Sequence, residues 1–228
     1  MNNFIKYIAN FLPIACMALL SLGASAQGFE GELSLTTKNP SMQEESVVRW
    51  ITSNGNHKLV MNGTANGKAY NMTLLLLKND SNVRILTEIN GAKAMFVTPI
   101  GDVKPVNPTL GSAIVTTGDG TTTIAGQSCK KYSVESAQGS TTVFVSSTLS
   151  LNLADLPQML KTNGVFATLA ANNINGLPLS IISRGEDGKV TFSQTVTNIK
   201  PGTVSESEFS YEGYQDGGAA LQNSMKQN

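Results

Sequence analysis

The sequence predicts a mainly β protein with an antiparallel sheet, and two observations carry this prediction. Residues 121–147, TTTIAGQSCKKYSVESAQGSTTVFVSS, contain three short segments rich in Thr, Val, Tyr and Phe that are separated by glycine turns. Such segments are typical of consecutive antiparallel strands. Elsewhere, apolar and polar residues alternate with a period of two, which is the pattern of a strand with one buried face.

The first 26 residues predict a secretory signal peptide. Lys6 is followed by the apolar run FLPIACMALLSL and by Ala24-Ser25-Ala26, a small-residue cleavage site. The run is shorter than the roughly 20 residues that a membrane-spanning helix needs. A retained anchor and acylation at Cys16 are the alternatives, although Pro13 and the continuing apolar run disfavour acylation. We therefore expect a protein of the periplasm, or one secreted, in the cell envelope of a Gram-negative-type bacterium.

The charge of the mature chain excludes several classes of partner. Loss of Lys6 leaves 15 basic against 16 acidic residues, a net charge of −1. Without a basic surplus, nucleic acid is not an expected partner, and no polybasic run predicts adsorption to anionic lipid. No stable membrane span is expected after signal cleavage. Cys129 becomes the only cysteine, so no internal disulfide can form. It is predicted to be buried as a small apolar side chain, with a free reactive thiol as the alternative.

The first half of the mature chain predicts a strand followed by a meander of five more. Residues 29–37 alternate an apolar and a polar face, and a loop follows at Asn39-Pro40. Residues 47–100 then divide into five strands, with Asn54-Gly55 and Asn90-Gly91 as hairpin turns. Residues 68–78 are so apolar that we predict a strand buried on both faces. Residues 101–111 are predicted to form an irregular flap or hinge.

The second half adds one helical region and a last hairpin. Asp155 is a candidate cap, Pro157 suits a first turn, and Leu156, Met159 and Leu160 have helical spacing, so residues 155–162 predict a short helix. Residues 165–171 fit either a second short helix or an extended cover. Residues 179–184 and 189–200 predict a hairpin about the turn GEDG. Residues 27–214 are thus expected to be one domain, followed by a polar, flexible tail at 215–228.

The sequence contains no recognisable catalytic or metal-binding constellation. His57 is the only histidine, and no serine lies in a nucleophile motif such as G-x-S-x-G. One histidine and one mature cysteine exclude the usual zinc sets, and the acids of GDG (118–120) and GEDG (185–188) lack the spacing of a calcium loop. We expect His57 to be a partly exposed hairpin residue, both acidic segments to be turns, and the protein to be neither an enzyme nor dependent on a cofactor.

Three motifs together resemble a known family. The spacing of Ile124, Gly126, Cys129 and Tyr132 in TIAGQSCKKY is similar to the I-x-G-x-x-C-x-x-Y segment of an uncharacterised group of secreted bacterial domains. Gly176-Leu177-Pro178-Leu179 resembles the G-x-P-L turn of that group, and residues 209–214, FSYEGY, resemble its closing F-x-x-P-x-G-Y, with Tyr211 and Glu212 at and after the usual proline position. The group resembles the periplasmic lipoprotein-carrier (Lol-type) fold. The resemblance implies an antiparallel, incomplete (half-open) β-barrel with one or two short helices covering the concave face.

The same resemblance implies a binding function. A half-open barrel exposes an apolar concavity that a helix or a ligand must cover. We expect it to bind a lipid, an acyl chain or a lipidated protein, with Leu156, Met159 and Leu160 as lid residues and Met72 and Met95 as cavity residues, because methionine adapts to irregular apolar ligands. For any single methionine, ordinary core filler is the alternative interpretation and the more common one. The alternative function is an envelope protein–protein interaction or structural module without a ligand cavity.

Overall fold

The computed structural model of the chain describes residues 29–40, 44–65, 68–89, 91–99, 114–136, 139–149 and 164–219. These residues include twelve strands, an α-helix and a 3-10 helix, and residues 217–219 are also helical. The strands are β1 (Gly31–Asn39), β2 (Glu44–Ser53), β3 (Asn56–Ala65), β4 (Lys68–Leu76), β5 (Asn82–Ile89), β6 (Ala92–Pro99), β7 (Ile114–Ile124), β8 (Gln127–Ser136), β9 (Gly139–Ser146), β10 (Pro178–Arg184), β11 (Val190–Pro201) and β12 (Gln215–Asp216). The α-helix α1 is Gly164–Ala171, and the 3-10 helix is Glu206–Phe209.

All twelve described strands belong to one sheet. Its order is β12-β6-β5-β4-β3-β2-β1-β11-β10-β9-β8-β7. Every neighbouring pair is antiparallel except β12 with β6, which is parallel. Because β12 and β7 remain at opposite edges, the sheet does not close into a barrel. This confirms the predicted mainly β, antiparallel, half-open architecture, and β2 to β6 are the predicted meander of five strands.

Tight turns fix the register of the hairpins. Asn54 and Gly55 connect β2 to β3 with φ values of 52° and 78°, and Ser53 lies directly opposite Asn56. Ala125 and Gly126 connect β7 to β8 in the same left-handed conformation, with φ values of 48° and 79°. Two-residue turns with positive φ match the twist of the flanking strands, which is why Asn and Gly are favoured there. The predicted Asn-Gly turn is therefore confirmed.

One predicted turn is wrong. Residues 118–120, GDG, lie inside β7 and not between strands. Thr117 is opposite Tyr132 and Thr121 is opposite Lys130, so three residues of β7 face one residue of β8. Gly120 has a φ of +89°, which glycine adopts without steric penalty. The segment is a β-bulge at a sheet edge, a position where bulges are common. The GEDG turn is confirmed, because Gly188 N donates to Gly185 O at 2.9 Å between β10 and β11.

The sheet has an inner face that carries most of the core. We define it as the face of Leu33, Trp50 and Leu59, which lie opposite one another on β1, β2 and β3 and are fully buried. Over β9, β10 and β11 the same face is covered by α1, whose Leu169 packs among Val143, Val145, Ile181 and Phe192. Residues 165–171, for which helix and extended cover were both open, are thus part of a helix, and that helix covers the inner face.

The C-terminal segment crosses the opposite, outer face as a strap (residues 206–216). Glu208 accepts a hydrogen bond from Lys58 Nζ at 3.0 Å and lies 3.8 Å from Arg49. Farther along, the Arg84 guanidinium lies 4.5 Å from the ring centre of Tyr211, and Lys93 Nζ lies 5.6 Å from that of Tyr214. The strap ends as β12 beside β6. It therefore runs over β2, β3, β5 and β6 in turn.

The strap explains why β4 is buried on both faces at residues 74–76. The predicted double burial of residues 68–78 is confirmed only there, because Ala69 and Asn71 are exposed. Leu74, Leu75 and Leu76 are consecutive and all buried, so both faces of the strand are covered there. Leu75 lies on the outer face between Lys58 and Arg84, which are the residues that hold Glu208 and Tyr211. Gln215 and Asp216, the first residues of the predicted flexible tail, are ordered in β12 and pair with Ala94 and Met95. Residues 220–228, the predicted signal peptide, the predicted flap at 101–111 and the predicted helix at 155–162 lie outside the described residues.

Two of the three family-like motifs meet at one point, the end of β9. Cys129 lies directly opposite Ser146. Gly176 has a φ of +132°, and any side chain there would overlap the carbonyl oxygen of Ser146. Ser146 N in turn donates to Leu177 O at 2.9 Å. Glycine is required at position 176 because the backbone of the turn approaches β9 so closely.

Candidate functional site: the inner face of the sheet

Two neighbouring rows of apolar side chains cross the inner face. In each row the residues lie directly opposite one another on adjacent strands, and rows are about 7 Å apart along the strands. All members are buried. The first row contains Val196, Leu35, Val48, Met61 and Met72, and the second contains Leu33, Trp50, Leu59, Leu74 and Ile85. Together they make a continuous apolar surface across the middle of the sheet.

A polar row (Gln194, Thr37 and Ser46) borders the first apolar row. Thr37 on β1 lies between Gln194 on β11 and Ser46 on β2, directly opposite each. Each of the three is two residues along its strand from an apolar residue of the first row, so all three side chains point to the inner face. Gln194 and Thr37 are each only 2% exposed. Three polar side chains are thus buried side by side at one end of an apolar surface.

Part of this polar row has no hydrogen-bond partner within the described part of the chain. Thr37 Oγ1 and both Gln194 side-chain atoms, Oε1 and Nε2, are buried without a hydrogen-bond partner among the described residues. An amide or hydroxyl group that is buried without its hydrogen bonds costs about 1–3 kcal/mol. Buried polar groups are almost always paired, and exceptions call for a functional explanation. The polar row is therefore the described part of the inner face best suited to an external ligand.

The row continues towards β4 because one position carries no side chain. Gly63 on β3 lies opposite Ser46 and opposite Tyr70 on β4. A Cβ at position 63 would lie 2.8 Å from Tyr70 Oη and 2.9 Å from Ser46 Cβ. Glycine therefore leaves room for the Tyr70 hydroxyl to reach over β3 towards Ser46, which extends the polar end of the inner face.

His57 lies at the other end of the inner face, and the prediction that it is partly exposed is wrong. It is only 3% exposed because its position on β3 directs it inwards, opposite Thr52. Thr52 Oγ1 and His57 Nδ1 are hydrogen-bonded at 3.1 Å, and the ring stacks on Trp50 with centroids 5.6 Å apart. Nε2 is buried with no partner among the described residues. Burial lowers the pKa of His57 from 6.5 to about 4, since the charged form loses its hydration.

The predicted ligand-binding residues do not form one group. Met72 belongs to the first apolar row of the inner face and is buried. Met95 lies opposite Leu86 on the outer face, so Met72 and Met95 cannot line the same concavity. The difference arises because neighbouring side chains on a strand point to opposite faces. The sequence alone did not show which residues of β6 point to the inner face. Leu156, Met159 and Leu160 lie outside the described residues and remain a prediction.

Cys129 occupies the outer side of β8, as the sequence alternation predicted. Tyr132 is opposite Val143 in the inner core, whereas Cys129 is opposite Ser146 on the other face. Its thiol is buried, and burial raises the pKa of Cys129 above its ordinary value. A buried thiol with a raised pKa has little thiolate and reacts slowly.

We expect a thiol reagent to label the native protein slowly and the denatured protein at once. The buried position of Cys129 protects it until the surrounding strands open. Labelling at pH 8 with and without urea, followed by mass spectrometry, measures this. The protein is expressed from Gln27 onwards, so that Cys16 of the predicted signal peptide does not contribute to the result. Rapid labelling of the native protein would show that the thiol is accessible.

The described residues do not assemble a metal centre. Among them, no group of three or more His, Cys, Asp or Glu side chains lies close enough to hold a metal ion. The charged groups that do converge belong to the strap and the outer face, where Arg49 Nε lies 3.4 Å from Glu32 as well as near Glu208. The hydrogen bond that Lys58 donates to Glu208 lowers the pKa of that carboxyl.

Sequence reasoning missed Gln194 and Thr37, although a signal was present. In β11 the inward positions read Phe192, Gln194, Val196, and in β1 they read Leu33, Leu35, Thr37. A polar residue at an inward position of a strand is the pattern that could have revealed them. Only the pairing of β1 with β11, more than 150 residues apart in sequence, shows that the two polar positions are neighbours.

Comparison with known proteins identifies the domain. The profile of the family described as "Domain of unknown function (DUF4412)" matches residues 29–212, which include the first two motifs noted in the sequence and the first four residues of the third. A comparison with curated proteins found no match. In the described part of the chain, no helix is long and apolar enough to cross a membrane.

Several solved structures are similar to this chain at low sequence identity. A crystal structure of MucB has a TM-score of 0.50 and 12% identity, with 90% of this chain and 64% of that chain covered. The complex of MucA and MucB from Pseudomonas aeruginosa gives a TM-score of 0.45 and 12% identity, with 78% and 54% covered. An uncharacterized conserved protein from Thermus thermophilus gives 0.46 and 11%, with 80% and 86% covered. This chain thus spans between about half and two thirds of the MucB chains, and the likeness to MucB concerns the fold.

Proposed function

Because this chain belongs to the DUF4412 family and folds as a half-open antiparallel sheet, we propose that it is an exported, non-enzymatic binding protein whose inner face takes an acyl chain, a lipid or a lipidated partner. The observation that carries the proposal is the inner face itself. It presents two adjoining apolar rows that end in a polar row with buried, unpartnered atoms. An apolar surface with a few convergent polar groups is the usual character of a small-ligand site.

The arrangement suits an amphiphile with a long apolar part and a polar end. Burial of an apolar chain against the rows contributes about 25 cal/mol per Å², and the polar row supplies hydrogen bonds at one end only. The methionines Met61 and Met72 lie in the row next to the polar residues, where flexible thioethers adapt to a ligand of variable shape. The signal peptide predicted at residues 1–26 supports an extracytoplasmic location, in the periplasm or outside the cell.

We expect an acyl chain to quench the fluorescence of Trp50. This residue is the only tryptophan of the chain and lies fully buried in the second apolar row. A brominated fatty acid such as 9,10-dibromostearic acid quenches indole only at close range, so saturable quenching reports occupancy of the inner face. Unbrominated stearic acid is the chemical control. Native mass spectrometry of protein purified without detergent should show a co-purified lipid.

A matched variant separates the two faces. In Trp50→Phe, Val60→Trp the fluorophore moves to the next strand and to the outer face, because Val60 lies opposite Arg49. The brominated chain should leave this tryptophan unquenched. Equal quenching in both proteins indicates nonspecific association. If there is neither quenching of Trp50 nor a co-purified lipid, the proposed function is wrong.

An envelope protein–protein interaction module is the second candidate, and an exposed edge strand favours it. β7 has only β8 as a neighbour in the described sheet, and most of its Thr-rich residues from Thr116 to Thr123 are exposed. An unpaired edge can add a strand from another chain, although the bulge at Gly118 and Gly120 limits such pairing. If no lipid binds, a protein partner that protects the β7 amides from hydrogen exchange becomes the expected finding.

A further inference from the structure

We propose that the polar row recognises an amide group, so that the preferred ligand is an acyl chain linked through an amide and not through an ester. This inference rests on the proposed function and specifies its ligand. The residues that carry it are Gln194, which supplies the discriminating hydrogen bonds, and Thr37, which lies directly opposite on the neighbouring strand.

The chemistry of Gln194 selects an amide. A carboxamide offers an acceptor, Oε1, and a donor, Nε2–H, side by side, and both are buried and unpartnered among the described residues. A secondary amide in a ligand presents the complementary pair, an N–H donor and a carbonyl acceptor. An ester has the carbonyl but no N–H, so it would satisfy Nε2 and leave Oε1 without a bond. Sites that contain buried polar groups reject analogues that cannot pair with them.

Thr37 adds a contact that does not discriminate. Its hydroxyl is also buried without a partner among the described residues, and a hydroxyl can donate to the carbonyl of an amide or of an ester. Gln194 and Thr37 side chains share the inner face at directly opposite positions, where Cβ atoms lie about 5 Å apart. One carbonyl between them can therefore accept from both, while the amide N–H of the ligand donates to Gln194 Oε1.

Among the neighbours of Gln194 that lie directly opposite or two residues along its strand, only Thr37 is polar. Its neighbours on the same face of β11 are Phe192 and Val196, and Ile181 lies opposite on β10. A leucine of similar size would fit beside these three apolar side chains without unpaired atoms of its own. Replacing a buried unpaired polar group with an apolar one of the same shape is neutral or stabilising. The glutamine is thus better explained by a ligand than by the fold.

The test compares two probes that differ at the linking group, N-methyldodecanamide and methyl dodecanoate. Each displaces 9,10-dibromostearic acid from the protein, and recovery of Trp50 fluorescence gives the relative affinities. We expect the amide to bind about fivefold more tightly than the ester, which corresponds to one additional neutral hydrogen bond. N-methylacetamide, which has the amide but no chain, should not displace the brominated acid at the same concentration.

Three variants test which side chain causes the preference for the amide probe. In Gln194→Leu the preference for the amide should fall to about one, and the ligand-free protein should unfold at a higher urea concentration than the wild type. Thr37→Val should weaken both probes and leave their ratio unchanged. Ser193→Ala, next to Gln194 but on the outer face, is the control and should behave as wild type.

The outcomes separate this inference from the proposed function. If both probes bind equally to the wild type and to Gln194→Leu, the acyl site stands and amide recognition is wrong. If neither probe nor the brominated acid binds, the proposed function fails and the inference with it. If N-methylacetamide, which has no acyl chain, displaces the brominated acid, the acyl chain is not part of the recognised ligand. If Gln194→Leu is less stable than the wild type, the glutamine amide has a structural role.

Discussion

Acidification from pH 7.5 to pH 4 is expected to cost the protein about 3 kcal/mol of stability through His57 alone. The unfolded histidine titrates near 6.5, whereas the folded one has a pKa of about 4. Above pH 6.5 both states are neutral, and the folded protein has its full stability. Between pH 6.5 and 4 only the unfolded state takes up the proton, so the free energy of unfolding falls by about 1.4 kcal/mol per pH unit and levels off below pH 4.

The structural origin of this effect is the closed environment of the ring. Trp50 stacks on one side of the ring, and Thr52 is hydrogen-bonded to Nδ1. Nε2 has no partner among the described residues, so no carboxylate among them compensates the charge of the imidazolium. Urea unfolding followed at pH 7.5, 6.5 and 5.5 measures the slope. This range is chosen because the lowered pKa values of Asp80 and Glu208 cause a loss of stability only at lower pH.

His57→Asn is the matched variant. The asparagine amide can keep a hydrogen bond to Thr52 at the position of Nδ1, but it does not titrate. The variant should therefore have a stability that is nearly independent of pH from 7.5 to 5.5, whatever its absolute value. A slope equal to that of the wild type would mean that His57 is hydrated or paired in solution and that the buried arrangement is incorrect.

The local features of the fold could be predicted from the sequence, because they depend on short-range patterns. The alternation in β1, the turn at Asn54 and Gly55, and the opposite faces of Cys129 and Tyr132 follow from residues that are close in the chain. The GDG bulge was not predictable in this way, since the residues of a bulge and of a glycine turn are the same. Only the pairing of β7 with β8 distinguishes them.

The candidate site depended on long-range pairing and was therefore hidden. Gln194 and Thr37 meet because β11 returns to pair with β1, and no local pattern indicates this. The burial of His57 has the same cause: its turn suggested exposure, but the register with β2 directs it inwards. Met95 shows the converse error, because an apolar residue in a strand was assigned to the cavity although its parity placed it on the outer face.

A large loss of stability is expected for Phe209→Ala, which removes the buried anchor of the strap. Phe209 is only 7% exposed and ends the 3-10 helix that lies on the outer face beside Lys58. Truncation of a buried phenylalanine to alanine typically costs about 3–5 kcal/mol. We expect at least the lower value here, because a loosened strap also exposes Leu75, which lies beneath it between Lys58 and Arg84.

Glu206→Ala provides the control, since Glu206 belongs to the same 3-10 helix but is exposed. Its effect should stay within about 0.5 kcal/mol, as for ordinary surface substitutions. Urea unfolding gives both values, and limited proteolysis should cut Phe209→Ala, but not Glu206→Ala, within residues 202–214. A loss below about 1 kcal/mol for Phe209→Ala would show that the strap is not part of the cooperative fold. If the strap is integral, the outer face around Leu75 is covered by the chain itself, and the proposed binding is to be tested on the inner face, where Gln194 and Thr37 have no hydrogen-bond partner among the described residues.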